Sequence, residues 1–182
     1  MEKEKGDKRM NEVMDAIRSR RSVRNYTDRK IEDEVLAEIM DAAIHAPSGN
    51  GLKTWRFTVI TNREMITKLK DAVEKDSGIP FKIYDQAAAV VIPTNKRDNT
   101  FGIEDNSAAI MSMMIAAQSF GVGSVWINRI KGRSDLPSIR AVFSELGIPE
   151  DHIAYGTCVL GYPDPEHPAA PYKEKGDIVY VK

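Results

Sequence analysis

The sequence predicts an α+β fold, built as one domain over residues 10–182. A chain of 182 residues is long enough for one well-cored domain. The first two predicted elements are both helices, so a strict alternation of strand and helix fails. Helices and strands are mixed from there on, which favours α+β. We expect the polar residues 1–9 to be a frayed or disordered start.

Composition and charge narrow the function classes. The 26 Lys and Arg residues balance 27 Asp and Glu residues, which argues against a nucleic-acid partner. The single cysteine, Cys158, excludes an internal disulfide and a cysteine metal cluster, and three scattered histidines predict no metal site. The charged N-terminus lacks the apolar core of a signal peptide, and no apolar run approaches the roughly 18 residues that span a bilayer. We therefore expect a cytoplasmic protein without membrane contact.

Two amphipathic helices open the chain. Apolar residues recur at helical spacing from Met10 to Ile17, which predicts a helix over residues 10–19. The same spacing, with acidic residues in the first turn, predicts a second helix over residues 32–45. A proline and two glycines within residues 47–51 then end that helix in a tight loop.

Between these helices lies the arginine segment, residues 19–26, which carries Arg20, Arg21 and Arg24 together with two serine hydroxyls. A planar guanidinium grips a phosphate through two parallel hydrogen bonds, and a hydroxyl or a backbone N–H completes such a cradle. The segment is therefore either an anion pocket for the phosphate of a cofactor or substrate, or a solvated basic run that complements the helix macrodipole.

The middle of the chain alternates strands and helices. Alternating apolar and polar residues predict a strand over residues 55–61. Helical spacing over residues 63–75 predicts a helix, which Ser77-Gly78-Ile79-Pro80 ends. The continuous apolar run over residues 87–92 predicts a strand covered on both faces. We expect residues 93–102 to be a polar connection.

The next helix is predicted over residues 104–117 and is apolar nearly all the way round from Ser107 onward. It has an acidic start at Glu104 and Asp105, and Gly121 ends it. A helix that is apolar on every face must be buried on every face. We expect either a central core helix or one that a second subunit seals.

Two more strands and a helix complete the predicted elements. We expect a short strand over residues 124–127, a helix over residues 136–146 that Gly147 closes, and a buried strand over residues 154–160. A proline-rich linker follows, with a last edge strand over residues 177–181.

Five blocks occur here in an order that resembles the FMN-dependent nitroreductase-like flavoproteins, from about Val13 to Val181. The blocks are Arg20-Arg21-Ser22-Val23-Arg24, Ala42-Ala43 with Ala46-Pro47-Ser48-Gly49 and Trp55, Glu104-Asp105 before the apolar helix, Gly121 to Ile127, and Leu160-Gly161-Tyr162-Pro163 before a proline-rich tail. The resemblance implies a mixed sheet flanked by helices around a central apolar helix. It also implies a homodimer with FMN sites at the subunit interface.

The resemblance further implies which residues bind the FMN. These residues are Arg20, Arg21, Ser22, Val23, Arg24, Pro47, Ser48, Gly49, Asn50, Lys53, Trp126, Ile127, Asn128, Lys173 and Lys175. Arg20 and Ser22 would hold the phosphate and the ribityl chain. Arg24 would lie near the ribityl and pyrimidine side of the flavin, where a cation stabilises the charge of the reduced ring.

Three other stretches would complete the implied site. Residues 47–49 would reach the flavin of the partner subunit. A backbone N–H within residues 126–128 would meet the flavin N5. Lys173 and Lys175 would return near the C-terminus to the phosphate.

The chain departs from the family pattern in two places. Related sequences often have Asn, Gln and Pro before the tryptophan, where this chain has Gly51, Lys53 and Thr54, with Asn50 one place early. Lys53 would then be a replacement donor to the pyrimidine edge. The tail has lysine where arginine is usual, and lysine binds phosphate as a point charge without the bidentate fork. The short connection over residues 93–102 implies an open substrate pocket.

Several of these residues also have a purely structural interpretation. Arg24 would instead form a surface ion pair with Asp28, and Trp126 would be a core aromatic residue. Lys173 and Lys175 would be solvated tail lysines.

The implied activity is ping-pong hydride transfer from NADH or NADPH, through FMN, to a small-molecule electron acceptor such as a nitroaromatic or a quinone. No catalytic residue is assigned, because the flavin carries the chemistry; His45, His152 and His167 receive no role. The alternatives are a flavin-binding sensor or store without turnover, and another flavin chemistry of the family, such as dehalogenation or dehydrogenation. A nucleic-acid-binding domain built on these arginines would bind with steep salt dependence.

Overall fold

The computed structural model describes residues 11–173 and 176–182, so the expectation for residues 1–9 lies outside the described residues. Five helices and five strands occur within this part of the chain. The helices are α1 (Glu12–Ser19), α2 (Asp33–Ile44), α3 (Arg63–Ser77), α4 (Gly102–Ser119) and α5 (Pro137–Glu145). The strands are β1 (Trp55–Ile60), β2 (Ala89–Lys96), β3 (Gly123–Ile127), β4 (His152–Ala154) and β5 (Thr157–Gly161).

The strands form one open antiparallel sheet in the order β1-β2-β5-β3, with β4 paired to β2 beyond the end of β5. β2 and β5 lie in the middle, and β3 is the strand to which the arginine segment adds a single bridge. The mixture of an antiparallel sheet with five helices confirms the α+β prediction.

Two hydrophobic clusters cover the two faces of the sheet. Along β2, Val90 and Ile92 belong to the cluster that contains buried residues of α3 and α5. Ala89 and Val91 point into the other cluster, with buried residues of α2 and α4. Successive strand residues face opposite sides, so the continuous apolar run fills both clusters, as predicted for a doubly covered strand.

α4 is the central helix. It contacts α1, α2, β2, β3 and β5, and its buried residues run from Gly102 to Ala117. One strip stays open, where Ile103 and Met111 are 46% and 38% exposed. The prediction of a buried core helix is therefore correct for most of the circumference of α4. Within the described residues, no helix combines the length and hydropathy needed to cross a bilayer.

The structure corrects the polar connection predicted over residues 93–102, because β2 continues to Lys96. The partner of β2 changes inside this extension: Val91 pairs with Cys158 of β5, whereas Thr94 pairs with Ala154 of β4. Pro93 lies between the residues of β2 that pair with β5 and those that pair with β4. Its missing N–H therefore removes no sheet hydrogen bond on the side that faces β5 and β4. The connection to α4 is therefore even shorter than predicted.

Two other predicted strands differ in the structure. Residues 154–160 belong to two strands, since Tyr155 and Gly156 separate β4 from β5. The edge strand predicted over residues 177–181 is wrong for the isolated chain: residues 176–182 have no regular secondary structure and are exposed.

Candidate functional site

The arginine segment is fixed against the edge of the sheet. Ser22 forms a parallel bridge with Ser124 of β3, and the Val23 N–H donates to the Ser124 carbonyl over 3.0 Å. The buried Tyr26 hydroxyl donates to the Val23 carbonyl over 2.7 Å. Gly123 permits this approach, because a Cβ there would lie 2.9 Å from the Val23 side chain. The backbone of the segment is thus set by β3.

The three arginines of the segment have different environments. Nε and Nη1 of Arg20 are buried and have no hydrogen-bond partner among the described residues. Arg21 is engaged: its Nη1 donates to the carbonyls of Arg18 and Arg20, each over 2.7 Å. Arg24 is exposed and donates to the Ser22 carbonyl over 3.2 Å. Buried guanidinium N–H groups need an acceptor, so Arg20 is the arginine that an added anion would satisfy.

The C-terminal tail returns to the arginine segment. The Arg21 guanidinium lies 5.2 Å from the centre of the Tyr172 ring, a cation–π contact. Lys173 follows directly and is exposed, so it lies one residue from this contact. Lys175, the other predicted tail residue, lies outside the described residues. The described part of the tail therefore contacts the arginine segment through Tyr172, one residue before Lys173.

The end of β3 opens into a cleft of about 490 Å³. Trp126, Ile127 and Asn128 line one side of it. Gly156 packs behind them, where a Cβ would lie 2.5 Å from Trp126 Nε1 and 2.9 Å from Asn128 Oδ1. Ser22 pairs with Ser124, and Trp126 at the cleft lies two residues further along the same strand. Two residues of a strand span about 7 Å, so the arginine segment and the cleft are neighbours on β3.

The other side of the cleft was not predicted. Residues 80–83, directly after α3, line it together with Arg129. Lys82 and Arg129 therefore add two cations beside residues 126–128, and the Arg129 guanidinium lies 5.7 Å from the centre of the Phe81 ring. No motif marks these residues, since the stretch around Pro80 has the composition of an ordinary helix break.

The second predicted group lies on the Ser48 loop, residues 47–53. Gly49, Asn50 and Gly51 form a single 3-10 turn within it. Asn50 and Lys53 have positive φ values of 52° and 47°, which non-glycine residues rarely adopt. Pro47, Asn50 and Lys53 are exposed, so their side chains are available to a ligand.

A buried carboxylate holds this loop. Asp105, in the first turn of α4, accepts from the Gly49 N–H over 2.7 Å and from the Ser48 hydroxyl over 3.1 Å. Asn99 also donates to it over 3.1 Å. The sequence predicts Asp105 only as an acidic residue at the start of a helix. Its partners Ser48 and Gly49 lie more than 50 residues away along the chain, so no local pattern reveals the contact.

The two predicted groups lie near opposite ends of α4. The Ser48 loop is bonded to Asp105 in the first turn, whereas Arg21 and Val23 line a 340 Å³ cleft with Gln118 in the last turn. The 13 residues between Asp105 and Gln118 correspond to about 20 Å of helix. One subunit therefore does not bring the loop and the arginine segment against the same end of a ligand.

The remaining reactive side chains are buried away from these clefts. Burial raises the pKa of the Cys158 thiol to about 12, which keeps it protonated and unreactive. Burial lowers the pKa of His152, whose Nδ1 lies 3.1 Å from the Thr94 hydroxyl. Neither group lines the cleft at the end of β3.

Comparison with known proteins adds a second line of observation. The sequence model of the Nitroreductase family matches residues 17–77 and 75–162. A protein of Archaeoglobus fulgidus, provisionally named NADH dehydrogenase/NAD(P)H nitroreductase, is 33% identical over 161 residues, covering 86% of this chain and 88% of the relative. The FMN reductase [NAD(P)H] of Bacillus subtilis is 28% identical over 176 residues, covering 85% of this chain and 67% of that protein.

A solved structure is similar over nearly the whole chain. The nitroreductase with bound FMN from Bacteroides fragilis superposes with a TM-score of 0.87 and 31% sequence identity. The match covers 95% of this chain and 100% of the other.

Proposed function

The chain belongs to the nitroreductase family, and from that premise we propose that it is an FMN-dependent oxidoreductase that uses NADH or NADPH. The FMN-bound structure of the Bacteroides fragilis nitroreductase supports the cofactor, and the names of the relatives support the nicotinamide donor. FMN would supply the hydride-accepting ring, and the protein supplies binding, orientation and electrostatics. The electron acceptor would be a small molecule such as a nitroaromatic or a quinone.

The observation that carries the cofactor proposal is the buried guanidinium of Arg20. Its Nε and Nη1 are buried without an acceptor in the part of the chain that the structure describes, which is costly unless a ligand supplies one. A phosphate oxygen pair matches the planar fork of an arginine. Ser22 lies two residues from Arg20, and Lys173 directly follows Tyr172, whose ring contacts Arg21, so both would complete the cradle. The residues present therefore fit the phosphate end of FMN.

The cleft at the end of β3 would receive the ring. Residues 126–128 offer backbone donors along one side, and Trp126 offers an apolar wall. Lys82 and Arg129 place positive charge on the opposite side, where they would favour the negative charge of a reduced ring. This assignment leaves orientation and charge, rather than proton transfer, as the contribution of the protein.

We propose that the active form is a homodimer. α1 buries only Ala16, and its apolar residues Val13 and Ile17 are 62% and 38% exposed. The described tail exposes four more apolar side chains, namely Ile178, Val179, Tyr180 and Val181. Exposed apolar surface on α1 and on the tail supports an interface with a second copy. A second copy would also bring the Ser48 loop to the arginine segment, which one subunit keeps about 20 Å away along α4.

Steady-state kinetics test the proposed activity. The FMN-loaded protein should oxidise NADH or NADPH with a nitroaromatic or quinone acceptor, and initial rates should give parallel lines in double-reciprocal plots. Cytoplasmic reductant pools would supply the donor. FMN-loaded protein without NADH or NADPH oxidation, with any acceptor of these classes, would support a flavin store or sensor instead.

A further inference from the structure

We propose that Asp105 is a positioning residue that fixes the Ser48 loop in the shape in which it contacts flavin. This inference rests on the proposed function, because the flavin contact of the loop belongs to it. Asp105 is 2% exposed and lies in the first turn of α4, outside the arginine segment and the cleft at the end of β3. It would act through the loop and not on the flavin itself.

The contacts of Asp105 point away from its own helix. One carboxylate oxygen accepts from the Gly49 N–H over 2.7 Å, and the other accepts from the Ser48 hydroxyl over 3.1 Å. Asn99, in the connection before α4, donates to the second oxygen over 3.1 Å. A residue that served only the helix macrodipole would not need partners on a distant loop.

The Ser48 hydroxyl links Asp105 to Lys53, further along the loop. While donating to Asp105, it accepts the Lys53 N–H over 3.0 Å. Lys53 and Asn50 are the two non-glycine residues with positive φ among the described residues. Such backbone strain persists only where the surrounding structure determines it. The Asp105–Ser48–Lys53 chain is the determining contact on one side of the loop.

The opposite side of the loop is fixed by shape. A Cβ on Gly49 would lie 2.3 Å from Cγ of Phe101, so the ring of Phe101 is packed directly on the Gly49 backbone. Gly49 is thus held between the Phe101 ring and the Asp105 carboxylate. The loop has a single supported position, which pre-organises it for a ligand and lowers the ordering cost of binding.

The partners require a carboxylate at this position. All three groups described above present a donor, and an ionised carboxylate is acceptor-only. An amide of the same shape would turn an NH₂ group toward at least one donor. Asp105→Asn therefore changes the polarity of the contact with almost no change in volume.

The experiment compares FMN dissociation constants of the dimeric holoprotein and its variants, measured well below their melting temperatures. Asp105→Asn should weaken FMN binding by about tenfold or more, and saturating FMN should restore most of kcat. The control is Ser134→Ala, which removes the buried hydroxyl that accepts the Ala154 N–H over 2.9 Å and has no hydrogen bond to the loop or to Asp105 within the described residues. It should lower stability and leave the FMN dissociation constant within about twofold of wild type.

The outcomes separate this inference from the proposed function. Wild-type protein that does not bind FMN removes both. Wild-type protein that binds FMN, beside an Asp105→Asn variant of equal affinity, overturns the positioning role alone. If Asp105→Asn does not fold, Ser48→Ala cuts the same chain at the hydroxyl and should weaken FMN binding about threefold or more; equal affinity in that variant overturns the role.

Discussion

The arginine segment and the Ser48 loop are both assigned to one cofactor, yet they are held in different ways. The arginine segment is held against β3 by backbone contacts, and two buried nitrogens of its Arg20 side chain have no hydrogen-bond partner among the described residues. The loop reverses this arrangement: its side chains Asn50 and Lys53 are exposed, and its backbone is fixed by a buried carboxylate. Binding an anion requires a cationic side chain whose N–H groups are still available. A loop that contacts the cofactor through its backbone requires a rigidly held backbone.

The largest effect is expected when the proposed contact between Arg20 and the FMN phosphate is removed. Arg20→Ala removes at least two charge-assisted hydrogen bonds of ~1.5–3 kcal/mol each, so FMN affinity should fall roughly a hundredfold or more. The melting temperature of the apoprotein should change little, because the buried Nε and Nη1 make no hydrogen bond to any described residue. Equilibrium dialysis with FMN measures the first quantity and calorimetry the second.

Arg18→Ala is the matched control for that variant. Arg18 is an exposed arginine in the last turn of α1, two residues away. Its loss should leave FMN affinity within about twofold of wild type, because surface charges contribute little at this distance in salt. An Arg20→Ala protein with full flavin occupancy would contradict the anion pocket.

The next largest effect is expected from a substitution that displaces the Ser48 loop. Gly49→Ala places a methyl group 2.3 Å from Phe101 Cγ, so the loop or the ring must move. Overpacking of this kind costs ~1–3 kcal/mol of stability, and FMN affinity should fall about tenfold with the displaced loop. Thermal melts and FMN titrations of the variant measure both changes.

Gly78→Ala separates loop displacement from general destabilisation. Gly78 caps α3 with φ of 65°, and a Cβ there meets no atom within 4 Å. This variant should lose about 1 kcal/mol of stability through backbone strain and keep its FMN affinity. Equal losses of affinity in the Gly49 and Gly78 variants would show that the loop has no separate role.

The contrast between the two regions also explains what the sequence could predict. The arginine segment is local, so three arginines and a serine within five residues suggested an anion pocket, beside the alternative of a solvated basic run. The helices were predictable from spacing, and α4 from its all-round apolar character. Asp105 was not, because an acidic residue in a first helical turn has an ordinary local explanation.

Tertiary context decided the misplaced elements. Pro93 suggested a connection, but it lies in β2 where the strand changes partner from β5 to β4. The stretch 177–181, apolar from Ile178 onward, suggested a strand, but the described residues of this chain leave these apolar side chains exposed. Lys82 and Arg129 meet at the cleft only because the end of α3 and the end of β3 are adjacent in space.

The smallest expected effect lies outside both regions and concerns acid stability. Because the pKa of folded His152 lies below the ordinary value of 6.5, the unfolded chain binds a proton at His152 more readily than the folded chain. Its contribution to stability is present above pH 6.5 and is lost as the pH falls below that value. Urea unfolding at pH 7.5 and at pH 5.5 should show a smaller drop for His152→Gln than for wild type, with FMN affinity unchanged. An equal drop in both proteins would contradict the assignment.

The most direct measurement is the visible absorption spectrum of the protein, recorded before and after anaerobic addition of NADH or NADPH, with mass spectrometry of the released ligand. We expect flavin bands, a released mass equal to FMN at one per subunit, and bleaching by the nicotinamide donor. A colourless protein that also takes up no added FMN would contradict this expectation, and the arginine segment would then be a basic turn without a cofactor.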